Sequence, residues 1–137
     1  MARAHDPWKF FVGDTWKLAE VMCDDFDEPI DITGVSNIEW RLNSADGLVN
    51  HLTLTLGDGI SIIDADTGLV LVDVADEKTI LLKAGEYRDQ LRLFVGPDVQ
   101  VQTYGIITAV DPLGNSKLPL STQLAGVGTL NAQSIVQ

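Results

Sequence analysis

At 137 residues the chain is one domain's worth, long enough to bury a core without disulfide or metal staples. Its 20 Asp and Glu against 9 Lys and Arg leave a net charge of −11, which repels phosphate backbones and anionic headgroups, so neither nucleic acid nor a membrane is an expected partner. One cysteine, Cys23, excludes an internal disulfide, and MARAHDPWKFF lacks the apolar run of a signal peptide, so intracellular synthesis is expected.

Residues 1–12 read as an N-terminal arm, with His5 in a flexible leader followed by an aromatic cluster of Trp8, Phe10 and Phe11 that Gly13 and Asp14 set apart. Residues 15–23 predict a strand with apolar side chains in both parities, which requires two covered faces or a bulge. Glu20 shares the phase of Trp16 there, so it must reach the sheet end, find a partner or be turned outward. An acidic loop over 24–34 leads to a strand at 36–43 with Ile38, Trp40 and Leu42 inward.

Asp46-Gly47 favours a hairpin into a strand at 48–56, whose Leu52, Leu54 and Leu56 share one face. A short strand at 60–63 and a turn at 64–68 precede 69–74, where Val70, Val72 and Val74 face the core and Leu69 and Leu71 are left on a second face. Residues 76–83 predict a helical turn with Ile80, Leu81 and Leu82 plugging one end. A strand at 85–95 follows, in which Tyr87, Leu91, Leu93 and Val95 share a parity and the Tyr87 hydroxyl needs a partner of the tyrosine-corner kind. Asp89 falls in the same inward phase; a buried carboxylate there needs a cation or several donors, and a bulge or an exposed strand end is the expected account. The last long strand is expected at 99–110.

Turn signals every 8 to 12 residues between alternating strands predict an all-β fold, an immunoglobulin-like antiparallel β-sandwich of about seven strands over residues 13–110. Trp16, Trp40, Tyr87, Leu91 and Leu93 are its expected core. Residues 111–137 read as a C-terminal arm; only Asp111 and Lys117 are charged, and such a segment orders most readily by lying on a neighbouring copy. Trp8, Phe10, Phe11, Leu69, Leu71, Leu118, Leu120, Leu124 and Val127 are the candidate interface.

No residue set dictates catalysis, and no cofactor is expected. Asp24, Asp25, Asp27 and Glu28, or Asp64 and Asp66, offer oxygen ligands for calcium, but glycine comes one residue too early after Asp64 for an EF-hand loop, and solvated turns are the plainer reading. Cys23 and His51 lack an orienting third group and an oxyanion loop, which leaves a buried cysteine and a strand-surface histidine.

The strings GDTWKLAEVMCDDFDEPIDITG, GISIIDADTGLVLVDV and AGEYRDQLRLF, taken in order, resemble the small immunoglobulin-like domain of tailed-phage and prophage tail proteins, including the N-terminal domain of baseplate upper proteins. The likeness rests on Gly13 to Trp16, Pro29 to Gly34, Asp46 and Gly47, Thr67 to Val74, and Gly85 with Tyr87, and it covers residues 13–110. Asp89 stands where it implies an aromatic or aliphatic residue. The resemblance implies a non-catalytic virion structural protein, made in the bacterial cytoplasm, that assembles as a homo-oligomer and contacts other phage tail proteins. The alternative is a carbohydrate- or adhesion-type binding module using loops at one end, for which Phe26 is the one loop aromatic.

Overall fold

The computed structural model describes residues 3–112, so residues 113–137 of the expected C-terminal arm, with Leu118, Leu120, Leu124 and Val127, lie outside the described residues. The strands are β1 (Arg3–Ala4), β2 (Trp8–Phe11), β3 (Trp16–Val21), β4 (Asn37–Ser44), β5 (Asn50–Leu56), β6 (Gly59–Asp64), β7 (Leu69–Val74), β8 (Gly85–Val95) and β9 (Asp98–Val110), with one helical turn, α1 (Asp76–Thr79), before β8. The fold is all-β, as the period-two patterning requires.

The sandwich expectation is corrected in one respect. The strands form a single curled, mostly antiparallel sheet in the order β1-β9-β8-β4-β5-β6-β7-β3, with β2 also on β9, which makes a half-barrel rather than two separate layers. The cause is the short link between β5 and β6. Only Gly57 and Asp58 separate the two strands, and Thr55 still pairs with Gly59 in parallel register, so the chain bends at two positive-φ glycines without leaving the sheet.

The curl brings the ends of the sheet to face each other. Arg3 of β1 donates to the Val21 carbonyl of β3 at 3.0 Å, and the Trp16 indole donates to the Phe11 carbonyl of β2 at 2.8 Å. Phe10 and Trp16 stack across the same seam with ring centroids 5.1 Å apart. The N-terminal strands thus run parallel to β9 and stand opposite β3.

Inside the curl, Trp16, Trp40, Leu91 and Leu93 are buried, with Leu18, Ile38, Leu42, Val70, Val72, Val74 and Ile107 around them. Tyr87 is buried too, and its hydroxyl donates to the Lys83 carbonyl at 2.6 Å, four residues upstream. Only Leu82 of the expected three-residue plug is buried, because the helical turn ends at Thr79 and leaves Ile80 and Leu81 facing solvent. Gly68 closes the β6–β7 hairpin at φ 71°, where a Cβ would come within 2.7 Å of the Ile30 carbonyl oxygen. Only glycine fits that corner.

Candidate functional site

The site of interest is a polar inclusion in the apolar interior. Along β8 and β9 the register passes from Leu91↔Thr103 to Arg92↔Val101, so Gln102 is an extra residue on β9. This bulge buries two successive polar residues, Gln102 and Thr103. The Gln102 side-chain oxygen accepts the Cys23 backbone N–H at 3.3 Å, which ties β9 to the end of β3.

Two residues further on, Gly105 lies opposite Asp89. A Cβ on Gly105 would collide with the His5 imidazole, so this glycine makes the room through which the ring passes. The His5 N–H donates to the Tyr104 carbonyl at 2.9 Å, extending the β1–β9 pairing, and the ring stacks on Trp8 with centroids 4.8 Å apart. His5 Nε2 then stands 2.5 Å from Asp89 Oδ1, while the Trp40 indole donates to Asp89 Oδ2 at 2.9 Å. The imidazole and the carboxylate are 7% and 3% exposed, so a buried pair, ionic when His5 is protonated, fastens the N-terminal strands to the core.

His5 Nδ1 sits 2.6 Å from the Asp6 carbonyl, so both ring nitrogens face acceptors and the doubly protonated imidazolium satisfies both. Burial opposes the charge most strongly, but the Asp6 carbonyl, the Asp89 carboxylate and the field of Glu20 together hold the His5 pKa above its ordinary 6.5. Burial pushes the Asp89 carboxyl up, and the Trp40 and His5 hydrogen bonds offset this only in part. Glu20, half-buried on β3, is likewise raised by burial, with the neighbouring Asp89 adding to the shift and His5 and Arg3 opposing it. All three shifts have one meaning: the folded interior holds its protons to higher pH than the unfolded chain does.

The pH dependence follows with a definite sign. A raised His5 contributes stability that is complete below pH 6.5 and is lost as pH rises through the folded-state value, and the raised Asp89 and Glu20 act in the same direction. Asp31 and Asp46 have pKa values lowered first by the Thr33 and Ser44 hydroxyls; they act at the acid end, outside this window. The melting temperature is therefore expected to fall as pH rises above 6.5, and Asp89→Asn is expected to flatten that slope. Thermal melts of both proteins across pH 5 to 9 measure it, a range set on the order of the histidine titration.

Gly105→Ala provides a local check. The methyl group displaces the His5 ring, and a destabilisation of about 1–3 kcal/mol is expected, because Asp89 loses the His5 bond but keeps the Trp40 indole as a donor. Chemical denaturation gives this cost, and removing His5 in the same background should add little to it.

Trp8 and Phe10 are half-buried against the core, and Phe11 is exposed. Leu69 and Leu71 are half-buried on the outer side of β7, between β3 and β6. Cys23 is buried with its thiol on the Val21 carbonyl, whereas His51 is exposed and packs edge-on against Tyr87, so their surroundings differ. Asp24 organises its own loop, its Oδ1 accepting the Phe26 and Glu28 N–H groups. Among the described residues no three His, Cys, Asp or Glu are grouped to hold a metal.

No protein-family model matches the chain, and no curated sequence matches it. Among the solved structures that the chain resembles is the N-terminal domain of phage TP901-1 ORF48, at a TM-score of 0.49 and 12% identity over 80% of this chain and 93% of that chain.

The residue that sequence reading misplaced is His5, taken as part of a flexible leader. Two signals pointed to it: the inward phase of Asp89, which demanded a cation, and Gly105, a glycine inside a strand pattern that marks close approach of another group. The expected escape of Asp89 by a bulge or an exposed end is corrected accordingly. Its own strand is regular there, and the bulge falls on the partner strand.

Proposed function

We propose that the protein is a non-catalytic structural component of a phage or prophage tail or baseplate, acting through protein–protein contacts as a homo-oligomer and with other tail proteins. The observation that carries this reading is the order of the motifs. Gly13 begins the turn into β3, Gly47 closes the β4–β5 hairpin, Gly68 closes the β6–β7 hairpin, and Gly85 opens β8 ahead of the buried Tyr87. Support for contact-based action comes from one pole of the molecule. Phe11 is 47%, Ile80 41% and Leu81 82% exposed, and the Gly13 N–H bonded to Thr79 Oγ1 brings the β2–β3 turn against α1 there.

Mass spectrometry of density-banded particles from an induced lysate tests the virion role. Co-sedimentation with tails is expected, and recovery only in the soluble fraction contradicts it. Light scattering should give more than a monomer, with Leu81→Asp reducing the mass.

A second reading is favoured by one observation, the 84% exposure of Phe26 on the Asp24 loop. An aromatic presented this way suits stacking on a sugar face in a carbohydrate- or adhesion-type module. Glycan-array binding that Phe26→Ala abolishes supports this alternative, and an empty array removes it.

A further inference from the structure

The outer face of the sheet carries a polar cavity with no role in packing the core. Along β8 the buried Tyr87, Asp89 and Leu91 alternate with Arg88 and Gln90, which face outward. The register sets Gln90 opposite Tyr104, and Arg88 between Asn43 of β4 and Ile106 of β9. These five residues line a cavity of about 570 Å³, within the range of about 300–1,000 Å³ that small-ligand sites occupy.

Arg88 is the unusual member. Of the four arginines, Arg3 pairs with Asp27, and Arg41 and Arg92 both pair with Glu39. Arg88 has neither an ion pair nor a hydrogen bond from its side chain among the described residues. Glu86, the next outward residue of β8, stands opposite Thr108 and does not line the cavity. His5 and Asp89 do line it, but they compensate each other once the imidazole is protonated, so among the lining residues the guanidinium supplies the unbalanced charge. The neutral groups around it are also unengaged. Asn43 accepts the Asn50 amide on its oxygen at 3.0 Å, which leaves its own amide to donate. The Gln90 carboxamide and the Tyr104 hydroxyl have no hydrogen-bond partner among the described residues, and Tyr104 is 46% exposed.

We propose that this cavity binds a saccharide bearing a carboxylate, of the hexuronic acid class. A guanidinium fork matches a carboxylate in two parallel hydrogen bonds. Diagonal neighbours on paired strands are about 7–8 Å apart, so Arg88 and Tyr104 hold the carboxylate and the apolar face of one sugar ring together. Gln90 and Asn43 then meet the hydroxyls. The cavity is larger than a single acidic side chain fills, which favours a sugar over the carboxylate of a protein partner. The site shares no residue with the Asp24 loop and does not depend on a virion role, so it and those two readings fail separately.

Amide chemical shifts followed by NMR during titration with glucuronate, glucose and acetate test it. Glucuronate is expected to shift the Arg88, Gln90 and Tyr104 amides saturably with a Kd of about 1 mM or tighter, and glucose and acetate to bind at least about tenfold more weakly. Arg88→Gln should abolish the preference over glucose, and Tyr104→Ala should weaken glucuronate about tenfold. Both residues are exposed, so the fold holds, and an unmoved Trp40 indole proton verifies that. Lys83→Gln removes the same charge from an exposed residue outside the cavity and should change neither result. Unmoved amides with glucuronate overturn the proposal. So does acetate or glucose binding as tightly as glucuronate, a loss in Lys83→Gln equal to that in Arg88→Gln, or tighter binding of an oligoglutamate peptide, which marks a protein partner as the occupant.

Discussion

Replacing Asp89 by alanine is expected to destabilise the fold by about 3–5 kcal/mol, the cost of leaving a buried partner charge unpaired. The carboxylate is the acceptor for His5 Nε2 at 2.5 Å and for the Trp40 indole at 2.9 Å, and both donors are enclosed. A substitution that removes both the imidazole and the carboxylate, His5→Leu with Asp89→Leu, should recover part of the loss, because a well-packed apolar pair carries no desolvation penalty. Completed by the single variants His5→Leu and Asp89→Leu, the cycle separates the cost of a stranded charge from the net value of the pair. Urea denaturation with an unchanged m value is the appropriate measurement, since a changed m would mean that the N-terminal strands had already left the sheet.

Trp16→Ala is the second large effect, expected at about 3–5 kcal/mol for an aromatic-to-alanine truncation in a closed core. Trp16 is fully buried, stacks on Phe10 across the seam and holds the Phe11 carbonyl. Trp16→Phe keeps a ring against Phe10 and loses the indole hydrogen bond, so about 0.5–1.5 kcal/mol is expected. The Asp14 N–H also reaches the Phe11 carbonyl, at 3.2 Å, and limits that loss. Near-ultraviolet circular dichroism should lose more signal in the alanine variant than in the phenylalanine one if the stack exists in solution.

Strand order along the chain was legible because period-two patterning is local. Val70, Val72 and Val74 alternate with Leu69, Leu71 and Asp73, and the turn glycines punctuate the sequence whatever the tertiary context. Whether the strands split into two layers was not legible, since that depends on the two-residue link at Gly57 and Asp58 keeping Thr55 paired with Gly59, a geometric property of the backbone. The tyrosine corner was readable from Tyr87 sharing the phase of Leu91 and Leu93. Its acceptor, the Lys83 carbonyl, was not. The polar site was half readable: Asp89 announced that something must neutralise it, but its partner lies 84 positions away in sequence. A lone histidine beside Asp6 and Pro7 carries no periodic signal of burial. Gln102 was hidden for a related reason, because a one-residue bulge shifts the parity on which inward and outward assignments depend.

The physical core of this account is that the N-terminal residues are bound into the sheet by a protonated imidazole meeting a carboxylate in the interior. An NMR titration of the His5 ring, in the unaltered chain and in Asp89→Asn, tests it most directly. The account expects His5 to titrate above 6.5 in the first and to move down in the second, with the Trp40 indole proton shifting in step. A His5 ring that titrates at its ordinary value in both proteins, with the Trp40 indole proton unmoved, would contradict it.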